Sequence, residues 1–181
     1  MLIRATDSVL LVIDIQERLL PAVYNPARIL ENASLLLNAA QACEVPVILT
    51  EQYPQGLGRT VPELASLAGN SPFIEKMHFS CMEDNDFHSC ITQLDRKQAV
   101  LLGMEAHVCV LQTAESLLES GFDVFVVSDA IASRTPGNEV ASVTRLDSAG
   151  ARIVTSEMVV FEWLGKAGTP VFKKLLPLIK K

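Results

Sequence analysis

Six apolar runs punctuate the chain, at about 8–14, 45–50, 72–77, 98–103, 122–127 and 152–155, and most are continuous rather than alternating. A strand with one wet face alternates apolar and polar side chains, so an unbroken run such as Ser8-Val-Leu-Leu-Val-Ile13 reads as a strand covered on both faces. Between the runs the apolar spacing turns helical, over 27–43, a shorter stretch near 84–94, 107–120 and, after Pro136-Gly137, 138–149. Gly121 stands where a helix C-cap belongs. From Ser156 the tail reads as two more short helices, 157–164 and 171–179, separated by Gly165, Gly168 and Pro170. Strand alternating with helix at this pitch predicts an α/β fold: a six-stranded parallel sheet with right-handed crossovers and helices on both faces, a three-layer Rossmann-like sandwich. The longest irregular stretch, 51–62 with Gly56 and Gly58, has the length of a binding loop or lid.

At 181 residues the chain has the length of one large domain, and a hydrophobic share of 49% supplies one continuous core, so a single domain over 1–181 is expected. No repeat, low-complexity tract or linker divides it. No apolar run approaches the roughly 20 residues needed to span a bilayer, so no membrane association is expected. The run at 8–13 lacks a preceding basic cluster and ends in Asp14, unlike a secretory signal. Cys43, Cys81, Cys90 and Cys109 are widely spaced with no C-x-x-C pair, which argues against a structural zinc site and a disulfide scaffold, and for reduced thiols in the cytoplasm. The formal charge of -6 repels phosphate backbones, and basic residues are scattered except for Lys173-Lys174 and Lys180-Lys181, so nucleic acid is not an expected partner.

Ligands of open parallel sheets bind beyond the carboxyl ends of the strands, near the point where strand order reverses. Asp14 closes the first apolar run, where burial costs several kcal/mol unless the charge is paired or belongs to a site. Lys76 lies in the third run beside Ile74, Met77 and Phe79, in a similar position. Each charge needs the other. Cys109 follows the fourth run in the expected first turn of the next helix, where backbone amides, the helix dipole and a nearby ammonium would lower its pKa towards a thiolate.

Competing readings stand beside these. A cytosolic cysteine is more often an inert buried residue, which is the reading for Cys43, Cys81 and Cys90. A buried Asp-Lys pair is as often structural as catalytic. His107 and Cys109, two apart on a helix, do not face one another, so no Cys-His dyad is inferred and His107 is assigned to the pocket wall. His78 and His88 read as surface or satisfied histidines, and no metal-ligand cluster is visible. Gly56-Leu57-Gly58 is too short for a dinucleotide fingerprint, so no cofactor is expected.

Taken together, Leu11-Val-Ile-Asp14-Ile-Gln16, the strand lysine Lys76, and Gly103-Met-Glu-Ala-His-Val-Cys109-Val-Leu-Gln-Thr113 resemble the isochorismatase-like cysteine hydrolases. Thr50-Glu-Gln-Tyr-Pro-Gln-Gly-Leu-Gly58, Ser128-Asp-Ala-Ile-Ala-Ser-Arg134, Thr155-Ser-Glu157 and the segment 172–180 resemble the isochorismatase domain-containing branch, whose substrates are largely unassigned. The resemblance runs nearly end to end and implies the strand order 3-2-1-4-5-6. It also implies Cys109 as nucleophile, Asp14 as general base and Lys76 as thiolate-stabilising cation. A non-proline cis peptide between Met104 and Glu105 and an oxyanion hole built from the Glu105 and Cys109 amides are implied as well.

Nicotinamidase-like members bind a metal through an aspartate and histidines where this chain has Glu51-Gln52-Tyr53, which disfavours a metal here. Isochorismatases proper cleave a vinyl ether and can dispense with the cysteine, so Cys109 favours acyl chemistry on a small-molecule amide or related C–N bond. Gln16, Gln52, Tyr53, Phe79 and His107 are expected as pocket walls because they neighbour the catalytic positions or the long loop. Val159, Val160, Phe161 and Trp163 add apolar surface that suggests a homo-oligomer.

Overall fold

The computed structural model describes residues 1–180, and Lys181 lies outside the described residues. Six parallel strands, β1 (Ser8–Ile13), β2 (Val47–Gln52), β3 (Phe73–Lys76), β4 (Gln98–Met104), β5 (Asp123–Ala132) and β6 (Arg152–Val154), form one sheet in the order β3-β2-β1-β4-β5-β6. The helices are α1 (Pro26–Ala42), α2 (Pro54–Leu57), α3 (Pro62–Leu67), α4 (Asn85–Gln93), α5 (Leu111–Glu119), α6 (Pro136–Ala149), α7 (Ser156–Leu164) and α8 (Pro170–Ile179).

All six residues of β1 are buried, and the two-residue period of the strand sends them alternately to two separate cores. Leu10 and Val12 pack with Ile29, Leu36, Val159 and Trp163 on one face of the sheet. Val9, Leu11 and Ile13 pack with Phe87, Ile91, Val110 and Leu117 on the other. This double covering is why the first run carries no polar residue between Val9 and Ile13. The chain winds from β1 outward to β3, then returns to β4 and winds the other way, so strand order reverses between β1 and β4. The carboxyl ends of those two strands therefore flank the crevice such sheets use for ligands.

Gly103 makes the β1–β4 approach possible. Its φ is +129°, a register shift separates Leu101 from Gly103 on the β5 side, and a Cβ at this position would lie 2.0 Å from the Ile13 carbonyl oxygen. No side chain fits there without moving the backbone of β1.

The structure departs from the expected layout in four places. Glu51 and Gln52 belong to β2, and the stretch after them holds α2 and is followed by α3, both opened by a proline at N1 or N2. That stretch is pinned rather than hinged: Gln16 Nε2 donates to Gly58 O at 2.7 Å, Arg18 Nη1 to Gly56 O at 3.0 Å, and Thr60 N to Glu51 Oε1 at 2.7 Å. Of the two readings of this loop, the lid is therefore set aside. The helix expected from 107 opens with a π-helical turn, Ala106–Val110, before α5. Near the C-terminus, Val159, Val160 and Trp163 are buried in the chain's own core, while Met158 and Phe161 remain exposed on α7. Among the described residues no helix is long and apolar enough to cross a membrane.

Candidate active site

Asp14 is the first residue past β1, with φ at 53°, a left-handed conformation that aspartate tolerates better than most residues. Its N–H donates to Thr50 O at 3.2 Å, and its side chain is sealed from solvent. Oδ2 accepts from Lys76 Nζ at 2.8 Å and Oδ1 from Thr50 Oγ1 at 2.7 Å. Lys76 is the last residue of β3, two strands away, and its ammonium also meets Gln52 Oε1 at 2.7 Å and the carbonyls of His78 and Phe79 at 3.3 and 3.4 Å. Burial alone would depress the lysine. The negative charge of Asp14 and the neighbouring thiols Cys81 and Cys109 outweigh it, so the Lys76 pKa is raised and the group stays an ammonium.

Two glutamines frame that cation. Gln16 Oε1 accepts from Gln52 N at 2.8 Å, and Gln16 Nε2 donates to Gln52 O at 3.0 Å as well as to Gly58 O. Gln52 Nε2 donates to Met77 O at 2.8 Å, which turns its Oε1 towards Lys76. Gln16 is fully buried behind the site with both ends of its amide engaged by backbone, so it anchors the loop. Tyr53 and Phe79 stand beyond β2 and β3 with 48% and 53% exposure.

Cys109 sits in the π-helical turn after β4, 6% exposed. Val108 N and Val110 N both donate to Glu105 O, at 3.0 and 3.2 Å, closing that turn. The Met104–Glu105 peptide bond is cis. Burial and then the negative charge of Asp14, with which the thiol shares a hydrogen bond, push the Cys109 thiol up, and Lys76 offsets only part of this. The expected thiolate at rest is thus corrected: a dipole argument counts the turn and the ammonium but neither the desolvation nor the adjacent carboxylate.

His107, in the same turn, is tied on both ring nitrogens, Nδ1 to Ser133 Oγ at 2.9 Å and Nε2 to the Asn138 amide at 3.3 Å. Glu105 carries an ion pair to Arg134 Nε at 2.7 Å. The segment that holds Ser133 and Arg134 therefore braces the Cys109 turn from the β5 side.

Three residues of this cluster were given no part in the site by the sequence, Cys81 being read there as an inert buried cysteine. Thr50 closes the second apolar run as Asp14 closes the first. Cys81 is fully buried, its N–H donating to Thr113 Oγ1 at 3.0 Å and its sulfur 3.9 Å from Thr50 Oγ1. Thr113 lies four positions after Cys109, on the same face of the helix, and that spacing is the one signal that could have found it. Among the described residues no group of three or more His, Cys, Asp or Glu side chains is arranged to hold a metal ion. The Glu51 carboxylate is occupied by Arg59 and the Thr60 amide.

The isochorismatase domain model matches residues 8–158. Isochorismatase domain-containing protein 2 of Danio rerio is 38% identical over 172 residues, 95% of this chain and 86% of its own. A secreted isochorismatase effector of Phytophthora sojae, Isc1, is 36% identical over 97% of this chain and 85% of its own. Among solved structures, a MAR1 ribonuclease from Caenorhabditis elegans superposes with a TM-score of 0.94 at 37% identity, covering 100% of this chain and 93% of its own. YcaC from Pseudomonas aeruginosa, solved with hexane-2,5-diol and covalent acrylamide, gives 0.92 at 29% identity over 98% and 91%. The YcaC product of Escherichia coli, described as an octameric hydrolase of unknown specificity, gives 0.93 at 28% identity over 98% and 90%.

Proposed function

The chain belongs to the isochorismatase family, and we propose that within it the protein is a metal-independent cysteine hydrolase that cleaves a small-molecule amide or related C–N bond through a thioester on Cys109. One observation carries this reading: a thiol, a carboxylate and an ammonium are buried together at the reversal point of the sheet, with Lys76 Nζ 2.8 Å from Asp14 Oδ2.

In the first step the Cys109 sulfur attacks the substrate carbonyl as Asp14 takes its proton. The negative charge passes from the carboxylate to the forming oxyanion and returns to Asp14 once its proton has gone to the leaving nitrogen, so the buried ammonium has an anion in the same site at each stage. The oxyanion is met by the Glu105 and Cys109 amides, where loss of one such donor typically costs about 2.7 to 4 kcal/mol of barrier. Collapse breaks the C–N bond, and Asp14 returns its proton to the departing nitrogen. Asp14 then deprotonates a water that attacks the thioester. The C–S bond breaks, the acid leaves and Cys109 recovers its proton. Tyr53, Phe79 and His107 border the approach, and Gln16 and Gln52 fix Lys76 from behind.

The covalent acrylamide on the P. aeruginosa relative supports a reactive nucleophile; acrylamide takes up nucleophiles at its alkene, so the adduct bears on the nucleophile and not on the bond it cleaves. The ribonuclease name of the C. elegans relative raises nucleic acid as a rival substrate. A net charge of -6 disfavours it. The octameric relative and the exposed Met158 and Phe161 support a homo-oligomer, and four free thiols suit a reducing, cytoplasmic setting.

The test is an intact-mass screen of amides and activated esters. An acyl adduct on the wild-type protein that disappears in Cys109→Ala supports the proposal. Absence of any Cys109-dependent adduct or turnover, with the protein folded, leaves a binding protein on the same fold. Turnover retained in Cys109→Ser but lost in Asp14→Asn indicates vinyl-ether chemistry instead.

A further inference from the structure

The Asp14 carboxylate is held at both oxygens, and the proposed mechanism accounts for only one of the two contacts. Lys76 takes Oδ2, while Oδ1 accepts a 2.7 Å hydrogen bond from the hydroxyl of Thr50, a residue 1% exposed. Thr50 pairs with Ile13 across the β1–β2 ladder and accepts the Asp14 N–H on its carbonyl, so one residue fixes Asp14 through backbone and side chain together. An ionised carboxylate only accepts, so the single hydroxyl hydrogen of Thr50 is committed to Asp14. Thr50 Oγ1 is left as an acceptor, and the Cys81 sulfur stands 3.9 Å from it as donor. Burial, followed by the negative charge of Asp14, lifts the Cys81 thiol to about 11, so it keeps its hydrogen at neutral pH. Cys81 is itself oriented by Thr113, on the helix that continues from the Cys109 turn. A directional chain thus runs from Cys81 through Thr50 to Asp14.

We infer that Thr50 is a positioning residue of the Cys109 site: its hydroxyl holds the Asp14 carboxylate in the orientation needed to receive the Cys109 proton. This rests on the hydrolase reading above. The charged and titratable groups facing Asp14 are Lys76 at the end of β3, Cys109 in the π-helical turn and Cys81 in the 3-10 turn Cys81–Glu83.

The experiment follows alkylation of Cys109 by iodoacetamide at pH 7.5, read by intact mass and peptide mapping. Asp14→Asn should slow the wild-type rate by about tenfold or more. Thr50→Val keeps the shape of the side chain and removes the donor to the Asp14 carboxylate, so the rate should fall by about three- to tenfold. Thr50→Ser should restore the wild-type rate. A merely structural threonine would lower the melting temperature without slowing alkylation of the folded protein. Should Thr50→Val fail to fold, Thr50→Ala removes the same donor while vacating space. A rate that is slowed in Asp14→Asn and unchanged in the apolar Thr50 variant overturns the role of Thr50 alone. No selective alkylation of Cys109 in wild type overturns the hydrolase reading and this inference with it.

Discussion

Lys76 Nζ lies 2.8 Å from Asp14 Oδ2 with both side chains at 0% exposure, and the two residues come from strands on either side of β2. Water screens neither charge, so each is tolerated only because the other is present. Removing one should leave the other buried and unpaired, at about 3–5 kcal/mol by chemical denaturation, whereas the double variant Asp14→Asn, Lys76→Met should cost much less than the sum. Additive losses would mean that the two groups are solvated separately.

The same pocket fixes how stability depends on pH. Lys76 has a raised pKa in the folded state, so its contribution is complete below the unfolded lysine value of about 10.4 and is lost as pH climbs towards the folded one. Cys81, at about 11, and Cys109, also raised, are acids whose neutral form the fold prefers. Above the unfolded thiol value of about 8.5 the unfolded chain gives up those protons while the folded chain keeps them, so stability again falls as pH rises. Urea denaturation between pH 8 and pH 11 should show the stability declining by up to about 1.4 kcal/mol per pH unit for each such group. Cys81→Ser should flatten part of the slope, and a slope unchanged in that variant would remove Cys81 from the account.

Gly103→Ala tests the approach of β1 to β4. The added methyl would meet the Ile13 carbonyl, a backbone atom with no rotamer to give, at a φ of +129° that alanine rarely adopts. Overpacking and backbone strain together should destabilise the fold by about 3 kcal/mol or more and slow Cys109 labelling, because Cys109 and Asp14 follow the two strands being pushed apart. A Gly103→Ala protein with wild-type melting and labelling would show that the β1–β4 contact relaxes freely.

Asp14, Lys76 and Cys109 were legible in the sequence because each breaks a local rule: a charge at the edge of an apolar run, or a thiol at a strand-to-helix junction. Thr50, Cys81 and Thr113 break none. Threonine at a strand end is ordinary, and its value here comes from a hydrogen-bond partner 36 residues away. The parallel sheet followed from the continuous runs, whereas α3, six residues long, is too short to show a helical period. The direction of the Cys109 shift could not be read at all, since it turns on burial and on Asp14, both set by tertiary packing.

Arg134 separates catalysis from stability. Its ion pair with Glu105 is largely solvent-exposed on the arginine side, where such pairs contribute about 0–1 kcal/mol, so Arg134→Ala should melt close to wild type. Glu105, however, supplies one of the two amides assigned to the oxyanion and follows β4 directly. Loosening its side chain should blur the position of that amide and lower the acylation rate by about tenfold, the size of effect that a small displacement of an oxyanion donor produces. Single-turnover acylation of Cys109 by an activated ester, compared with iodoacetamide alkylation of the same thiol, isolates the effect. Alkylation forms no oxyanion and should be unchanged. Equal slowing of both reactions would assign Arg134 to the general integrity of the Cys109 turn rather than to the oxyanion site.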